Sequence, residues 1–483
     1  MGKIKNRIML KIVSEQVLFV SITIFSSGVH FLFSIFVKAH VNPYEYGIYS
    51  SCLILQTYLA YLQLGCLNAF NRDYPQLVGA KKNKEAEAYR NTVFTFLLLS
   101  FVIVSVFLSA LLLLMGKKRE FDERYTYGLV LCTMLTAITI IENFGNYRVR
   151  IDRGFTYISI VMLLELLPII GGIWLVPIIG YYAIYITSLC SVSLGIVLYL
   201  RKAYQDIKFE IDGRLLKEII KSGMPLLING LIWTVVNSID KFVILGFIST
   251  EALGIYGVAQ NAFTYMVLIP SAISQLFYVA MGKEYGKTKS VRALTQVSVK
   301  FTVILAVVTS FLALLAYYCL PMLVEWVMPN YLGGVPSAQI LILGLSIYAA
   351  TLINGNILTI LKQNRVILRV SVYMCVFNLL CSVAFISILG RKIECVALGT
   401  AISYMINSII VIYQVQKYTE CNWRELFKVS VIPVCFTLLP GYMIYYLPIN
   451  KLMGLAGSIL SAIMFYLLFF KEYFLAEFRS KHE

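Results

Sequence analysis

An all-α, polytopic membrane protein of about fourteen transmembrane helices is the fold class this sequence predicts, from three observations. The 483 residues are 59% hydrophobic and 14% charged, with a mean hydropathy of +0.79, where a soluble domain carries roughly a quarter charged residues. Apolar runs of about 20 residues, the length that crosses a bilayer core, recur from end to end. Lysine and arginine alternate between rich and poor connecting segments.

The apolar windows place helices near 15–37, 47–70, 91–115, 126–147, 156–175 and 178–200, then near 223–246, 254–280, 297–320, 335–361, 366–389 and 395–415, and finally near 428–446 and 452–470. The first follows a basic start, Met1 to Lys11. It exceeds the apolar core of about 7–15 residues found in a cleaved signal, and no small-residue site follows it, so a retained helix is expected. Only Val176-Pro177 and Gly180 divide the fifth helix from the sixth.

Charge orients these helices. With the N-terminus cytoplasmic, inside segments hold 31 lysines and arginines and outside loops 8, while Lys241 and Lys300 fall within helices and complete the 41. That bias predicts two cytoplasmic termini, and it means the net charge of +16 records topology rather than nucleic-acid binding. One outside loop dissents, with Lys117, Lys118, Arg119 and Arg124 diluted by Glu120, Asp122 and Glu123. Arg7 to Val13 and Arg214 to Ile220 are amphipathic and suit either interfacial helices or simple extensions of the following spans.

A shift of 207 residues superposes Gly47-Ile48-Tyr49 on Gly254-Ile255-Tyr256, Thr57-Tyr58 on Thr264-Tyr265, Arg7 on Arg214 and Ile12 on Ile219. Six helices separate the copies, so two pseudo-symmetric lobes of the same orientation are expected, a common transporter plan. The expected division is 1–200 as an N-terminal six-helix lobe and 201–222 as a cytoplasmic linker with an amphipathic helix. The second six-helix lobe is 223–415, and 416–483 holds two further helices and a short cytoplasmic tail.

Gly223-Met224-Pro225, then Asp240-Lys241 and Leu253-Gly254-Ile255-Tyr256, resemble the polysaccharide-exporter branch of the MATE-like (MOP) superfamily. Tyr46-Gly47-Ile48-Tyr49 and Leu64-Gly65-Cys66 through Arg72 look like the matching features of the first lobe, with Cys66 where the family has a second leucine. The resemblance implies a flippase moving an undecaprenyl-pyrophosphate-linked oligosaccharide across the bacterial inner membrane for O-antigen or capsule assembly. It implies alternating access around a central, often cationic cavity, with the last two helices added to a twelve-helix core. It also implies lipid-linked oligosaccharide and membrane lipids as partners, proton or sodium coupling, and company with a polysaccharide polymerase and a chain-length regulator.

Ionisable groups inside a span cost about 2.5–3.5 kcal/mol on insertion scales, so each is a candidate. Glu165 lies about nine residues into its predicted helix, near the midplane, ahead of Pro168 and Gly171-Gly172. It reads as a site for a coupling proton or sodium ion, or equally as a hydrogen-bonded packing residue. Asp240 and Lys241 read as cavity residues or as helix-end charges, with Lys241 free to snorkel. Arg72 and Arg148, at inner helix ends near Asp73 and Glu142, have the planar geometry that binds pyrophosphate, although basic residues gather there anyway. Asn237 and Asn261, with other amides such as Asn229, Gln260, Asn354, Asn356, Asn378 and Asn407, suit sugar hydroxyls or helix packing.

Other chemistries find little support. Ten scattered cysteines form no C-x-x-C pair, and His30, His40 and His482 form no cluster, so neither a disulfide framework nor a metal site is expected. Gly282 to Thr288 resembles a phosphate-binding loop, but the spacing puts its first glycine at Met281. No cofactor and no enzymatic activity are expected. The rivals are a multidrug or small-solute antiporter of the same superfamily and, from another class, a membrane glycosyltransferase or polymerase, for which the outside loops are too short.

Overall fold

The structure is a computed structural model that describes residues 2–116, 122–419 and 422–469. Among these residues every regular element is helical. Thirteen helical stretches are long and apolar enough to cross a membrane, and the pair Pro43–Gln63 and Cys66–Gly79, bent by 48°, makes a fourteenth. The chain is therefore a polytopic all-α membrane protein, and each window read from the sequence contains a span. Most of the Lys117–Arg119 loop and the C-terminal tail, with Cys421 and His482, lie outside the described residues.

Contacts divide the chain into two compact units, Met1–Thr234 and Val235–Glu483. The first holds α1 (Gly2–His40), α2 (Pro43–Leu59), α3 (Cys66–Gly79), α4 (Asn83–Gly116), α5 (Glu123–Arg153), α6 (Phe155–Leu164), α7 (Leu166–Ile179), α8 (Tyr182–Tyr199) and most of α9 (Gly213–Val236). The basic N-terminal stretch is thus the start of one continuous helix. Within this unit α1 packs on α6 and α7, α5 on α2, α4 and α8, and α7 on α8. Leu64 and Gly65 both take positive φ (49° and 81°), which swings α3 away from the axis of α2.

The segment after α8 is fastened to the first unit. Arg90 donates to the Asp206 carbonyl at 2.6 Å, and Arg148 donates to the Ala203 carbonyl and to the Asp206 carboxylate. The backbone N–H groups of Lys208 and Asp212 reach the side chains of Asn91 and Thr92, each at 3.3 Å. Asp212 then caps α9 by accepting from the N–H groups of Arg214 and Leu215.

The second unit holds α10 (Ile239–Phe247), α11 (Thr250–Thr288), α12 (Val291–Val327), α13 (Val335–Ala350), α14 (Leu352–Ile360), α15 (Asn364–Leu389), α16 (Ile393–Gln416), α17 (Trp423–Tyr445) and α18 (Lys451–Phe469). Here α13 is wrapped by α11, α12 and α16, α15 packs on α16, and α17 and α18 pack on each other and on α12. The expected helix 223–246 is broken at Asn237-Ser238 and the expected helix 335–361 at Thr351. The Thr351 hydroxyl bonds to the Tyr348 carbonyl and to Ser408 on α16. Such side-chain bonds compete with the helical ladder.

The 207-residue relationship extends to the caps. Asn42 caps α2 by accepting from Glu45 N–H, and Ser249 caps α11 by accepting from Ala252 N–H. Both cap and donor are displaced by that same shift.

Candidate functional site

The site grows from a break in a span. Pro168 has no N–H to offer the Leu164 carbonyl, and the Ser191 hydroxyl of α8 takes the Glu165 carbonyl at 2.7 Å. The helix therefore yields at Glu165, where α6 ends and α7 begins. The side chain turns inward toward α5 and α8. Its Oε1 is buried with no hydrogen-bond partner among the described residues.

Glu142 of α5 is the charged neighbour of this carboxyl. Gly195 of α8 makes room for the pair. A Cβ there would overlap Glu165 Oε1 and stand 3.3 Å from Glu142 Cγ. Asn146 lies beside Glu142 and donates to the Tyr199 hydroxyl at 3.3 Å. Arg150 donates to Asn146 at 3.0 Å and acts on Glu142 through its charge. Its guanidinium is held near the Phe19, Tyr147 and Phe155 rings, 5.4–5.9 Å from their centroids. Two half-buried carboxyls, one guanidinium held among rings, and the neutral Asn146, Tyr199 and Ser191 thus lie together in the first unit. The sequence singles out Glu165 and notes Glu142 only beside Arg148; it does not join them to each other or to Gly195 and Ser191, because only tertiary packing does.

The other candidates fall into separate places. Arg72 forms a two-pronged pair with Asp73 (2.6 and 2.9 Å) and donates to Ser222, while Ser222 and Tyr89 both donate to Asp73. The Arg72 side chain stays 44% exposed. Arg148 is 4% exposed and committed to the segment after α8. That position supports the fold and does not present the guanidinium to a ligand.

In the second unit Asp240 opens α10, in the first turn, where a carboxylate complements the helix dipole. The Lys241 backbone N–H donates to it at 2.9 Å, and its surroundings include the Lys241 ammonium and the Tyr256 hydroxyl. Thr400, beside Tyr256, donates to Asn378 Oδ1 at 3.3 Å. Asn237, just before α10, accepts from the Tyr404 hydroxyl at 3.1 Å. Asn261 sits half-buried further along α11. So Asn237, Asp240 and Lys241 share one neighbourhood. No group of three or more metal-ligating side chains occurs among the described residues.

The family model described as polysaccharide biosynthesis protein matches residues 41–328, more than half of the chain. The chain belongs to that family. No curated protein matches it in sequence. Among solved structures, a lipid II flippase MurJ in an inward closed conformation superposes with a TM-score of 0.72 at 15% identity, covering 95% of this chain and 100% of that one. An inward-facing multidrug resistance MATE family transporter of the MOP superfamily gives 0.66 at 15% identity, covering 86% and 99%. A MOP superfamily transporter from Pyrococcus furiosus gives 0.54 at 14% identity, covering 86% and 95%. At such identities the likeness is one of fold. This polysaccharide biosynthesis protein therefore has the fold of the MOP superfamily transporters, as its sequence motifs lead one to expect.

Within that fold, Glu142 and Glu165 are two neighbouring carboxyls facing the same glycine of α8. Arg150 offsets part of their charge. Neutral amide and hydroxyl groups complete the lining.

Proposed function

We propose that this chain is a flippase that carries an undecaprenyl-pyrophosphate-linked oligosaccharide across the bacterial inner membrane, with both termini cytoplasmic. The observation that supports the reading is that a member of the polysaccharide biosynthesis protein family has the fold of MOP superfamily transporters, with thirteen to fourteen candidate spans. The two units work by alternating access, each lobe keeping its own packing. The half-exposed Arg72 guanidinium is suited to the pyrophosphate, and Asn237, Asp240, Lys241 and Asn261 to polar groups of the cargo. The half-buried pair Glu142 and Glu165 binds the coupling ion, a proton or a sodium ion, whose charge both carboxyls share. The product feeds O-antigen or capsule assembly alongside a polymerase and a chain-length regulator.

The second reading is a cation-coupled antiporter for small solutes, favoured by that same carboxyl pair and by the likeness to the MATE transporter. A reconstituted vesicle assay separates the two. Purified protein should move a fluorescently labelled lipid-linked sugar to the opposite leaflet and leave a cationic dye where it is. Movement of the dye alone would overturn the flippase reading.

A further inference from the structure

His30 stands on the polar face of α1. Thr23, Ser27, His30 and Ser34 recur at helical spacing along the first span, Leu18–His40. The Thr23 and Ser27 hydroxyls donate to backbone carbonyls one turn back, each at 2.8 Å. Phe25 and Leu32, 59% and 66% exposed, mark the opposite face. His30 is nevertheless exposed. An ionisable side chain at this depth ordinarily faces a water-filled space and is a functional candidate.

That space is a cavity of about 140 Å³ among α1, α2, α7 and α8, with His30 in its lining. The volume admits several waters. It adjoins the carboxyl pair on two elements. Ile169, one turn past Glu165 on α7, lines it, and so does Ser188, one turn before the Ser191 that holds the Glu165 carbonyl. The packing of α1 gives the same register. The Phe19 and Phe155 rings meet at 5.3 Å, and a Cβ on Gly172 would lie 2.8 Å from the Phe33 ring. Glu165 falls between Phe155 and Gly172, and His30 between Phe19 and Phe33. Counted from either contact at about 1.5 Å per residue, the two stand within about 6 Å of one level, with His30 toward the His40 end.

The other titratable groups at the cavity are Tyr46 and Tyr49 of α2, and α7 and α8 present none. Tyr157 of α6 donates to the Leu198 carbonyl, and Lys38, two turns along α1, donates to Ser34 and Tyr46. Among the described residues, His30 is therefore the group facing this space whose kind of side chain changes charge between about pH 5 and 8. We propose that His30 is the proton-transfer residue of the carboxyl pair. Its imidazole takes a proton from water at the cavity, passes it through the cavity to the Glu165 carboxylate, and returns to the neutral form. The inference rests on the reading of Glu142 and Glu165 as the ion site, and it names the ion as a proton.

The test follows the carboxyl itself in the purified full-length protein, reconstituted in vesicles. A flash-released proton raises the C=O band of a protonated carboxyl in time-resolved infrared absorption, and loss of that band in Glu165→Gln assigns it. His30→Gln should keep the final amplitude of the band and slow its rise about a hundredfold, the low end of what a positioned proton-transfer group supplies. His30→Ala should do the same, and free imidazole should restore the rate in proportion to its concentration, a rescue that a packing role would not show. Ser188→Leu leaves the imidazole in place and narrows the cavity. It should slow the band as well, and it carries the test if the His30 variants do not fold. If no band is assignable to Glu165, the reading of the pair as the ion site fails, and this inference with it. A Glu165 band that rises at the wild-type rate in the folded variants, or a slowed one that imidazole leaves slow, overturns the inference alone.

Discussion

Gly65 and Gly223 meet backbone to backbone. A Cβ on Gly65 would lie 2.6 Å from the Gly223 carbonyl carbon, and one on Gly223 would overlap the Gly65 carbonyl. Gly65 also has a φ of 81°, which a side chain rarely tolerates. The bend before α3 and the entry of α9 therefore depend on each other. Arg72, Asp73 and Ser222 join the same two elements by hydrogen bonds.

Gly65→Ala should lower stability by about 3 kcal/mol, from strained backbone and overpacking together. Gly223→Ala should do nearly as much. Gly79 has open space around a Cβ, so Gly79→Ala is the control and should change little. Thermal unfolding of the three purified variants checks this. Equal midpoints for Gly65→Ala and Gly79→Ala would remove the contact from the account.

Arg148 is expected to act on folding. Arg148→Ala takes the guanidinium from the Ala203 carbonyl and from the exposed Asp206 carboxylate and should cost about 1.5–3 kcal/mol, the range for bonds to a charged group. Arg148→Lys should not restore it, because an ammonium lacks the planar fork. Folded yield should fall in both while transport per folded molecule stays at the wild-type level. Normal yield with lost transport would return Arg148 to the cargo path.

The two equivalent caps give a matched pair of tests. Asn42→Ala and Ser249→Ala should each destabilise by about 1 kcal/mol, while Asn42→Ser and Ser249→Asn should be close to neutral. Chemical unfolding of the four variants reads the difference. A cost at only one of the two positions would mean that the repeat does not extend to the energetics of the corners.

The spans were legible because lipid demands about 20 apolar residues wherever a helix crosses, whatever surrounds it. The Gly47 and Gly254 repeat was legible because each copy starts a helix after the same kind of break, and Asn42 and Ser249 hold the same register. Breaks were harder to read. Glu165 stood out by its charge, but the fault in its helix needs the Ser191 hydroxyl, 26 residues away on another helix. Arg148 looked like an ordinary inside-facing basic residue, and only the path of the chain after α8 gives it a carbonyl to hold. Nothing in the spacing of Glu142, Glu165 and Gly195 marks them as neighbours.

Topology follows from charge alone and can be tested without the rest. A reporter that works only in the cytoplasm should be active when fused after Glu483, and one that works only outside should be silent there. The reverse result would invert the orientation argued from the 31 to 8 distribution of basic residues.

The carboxyl pair gives the most demanding prediction. Glu165→Gln keeps the shape and the bond from Ser191 to the backbone but removes the titratable group. If one cation is shared by two carboxyls, transport should fall about 5- to 150-fold, the usual range for coupling between two sites, at normal protein level. Glu142→Gln should match it, and the double variant should be no worse than either single, because both destroy the same site. Gly195→Ala supplies the independent arm. It keeps both carboxyls and their charge, yet its Cβ takes the space of Glu165 Oε1 and must drive the carboxylate aside. Loss of transport there assigns the function to the geometry of the pair and not merely to its charge. The outcomes that sink the ion site are wild-type transport by Glu165→Gln across a pH series, or losses in the two single variants that add in the double.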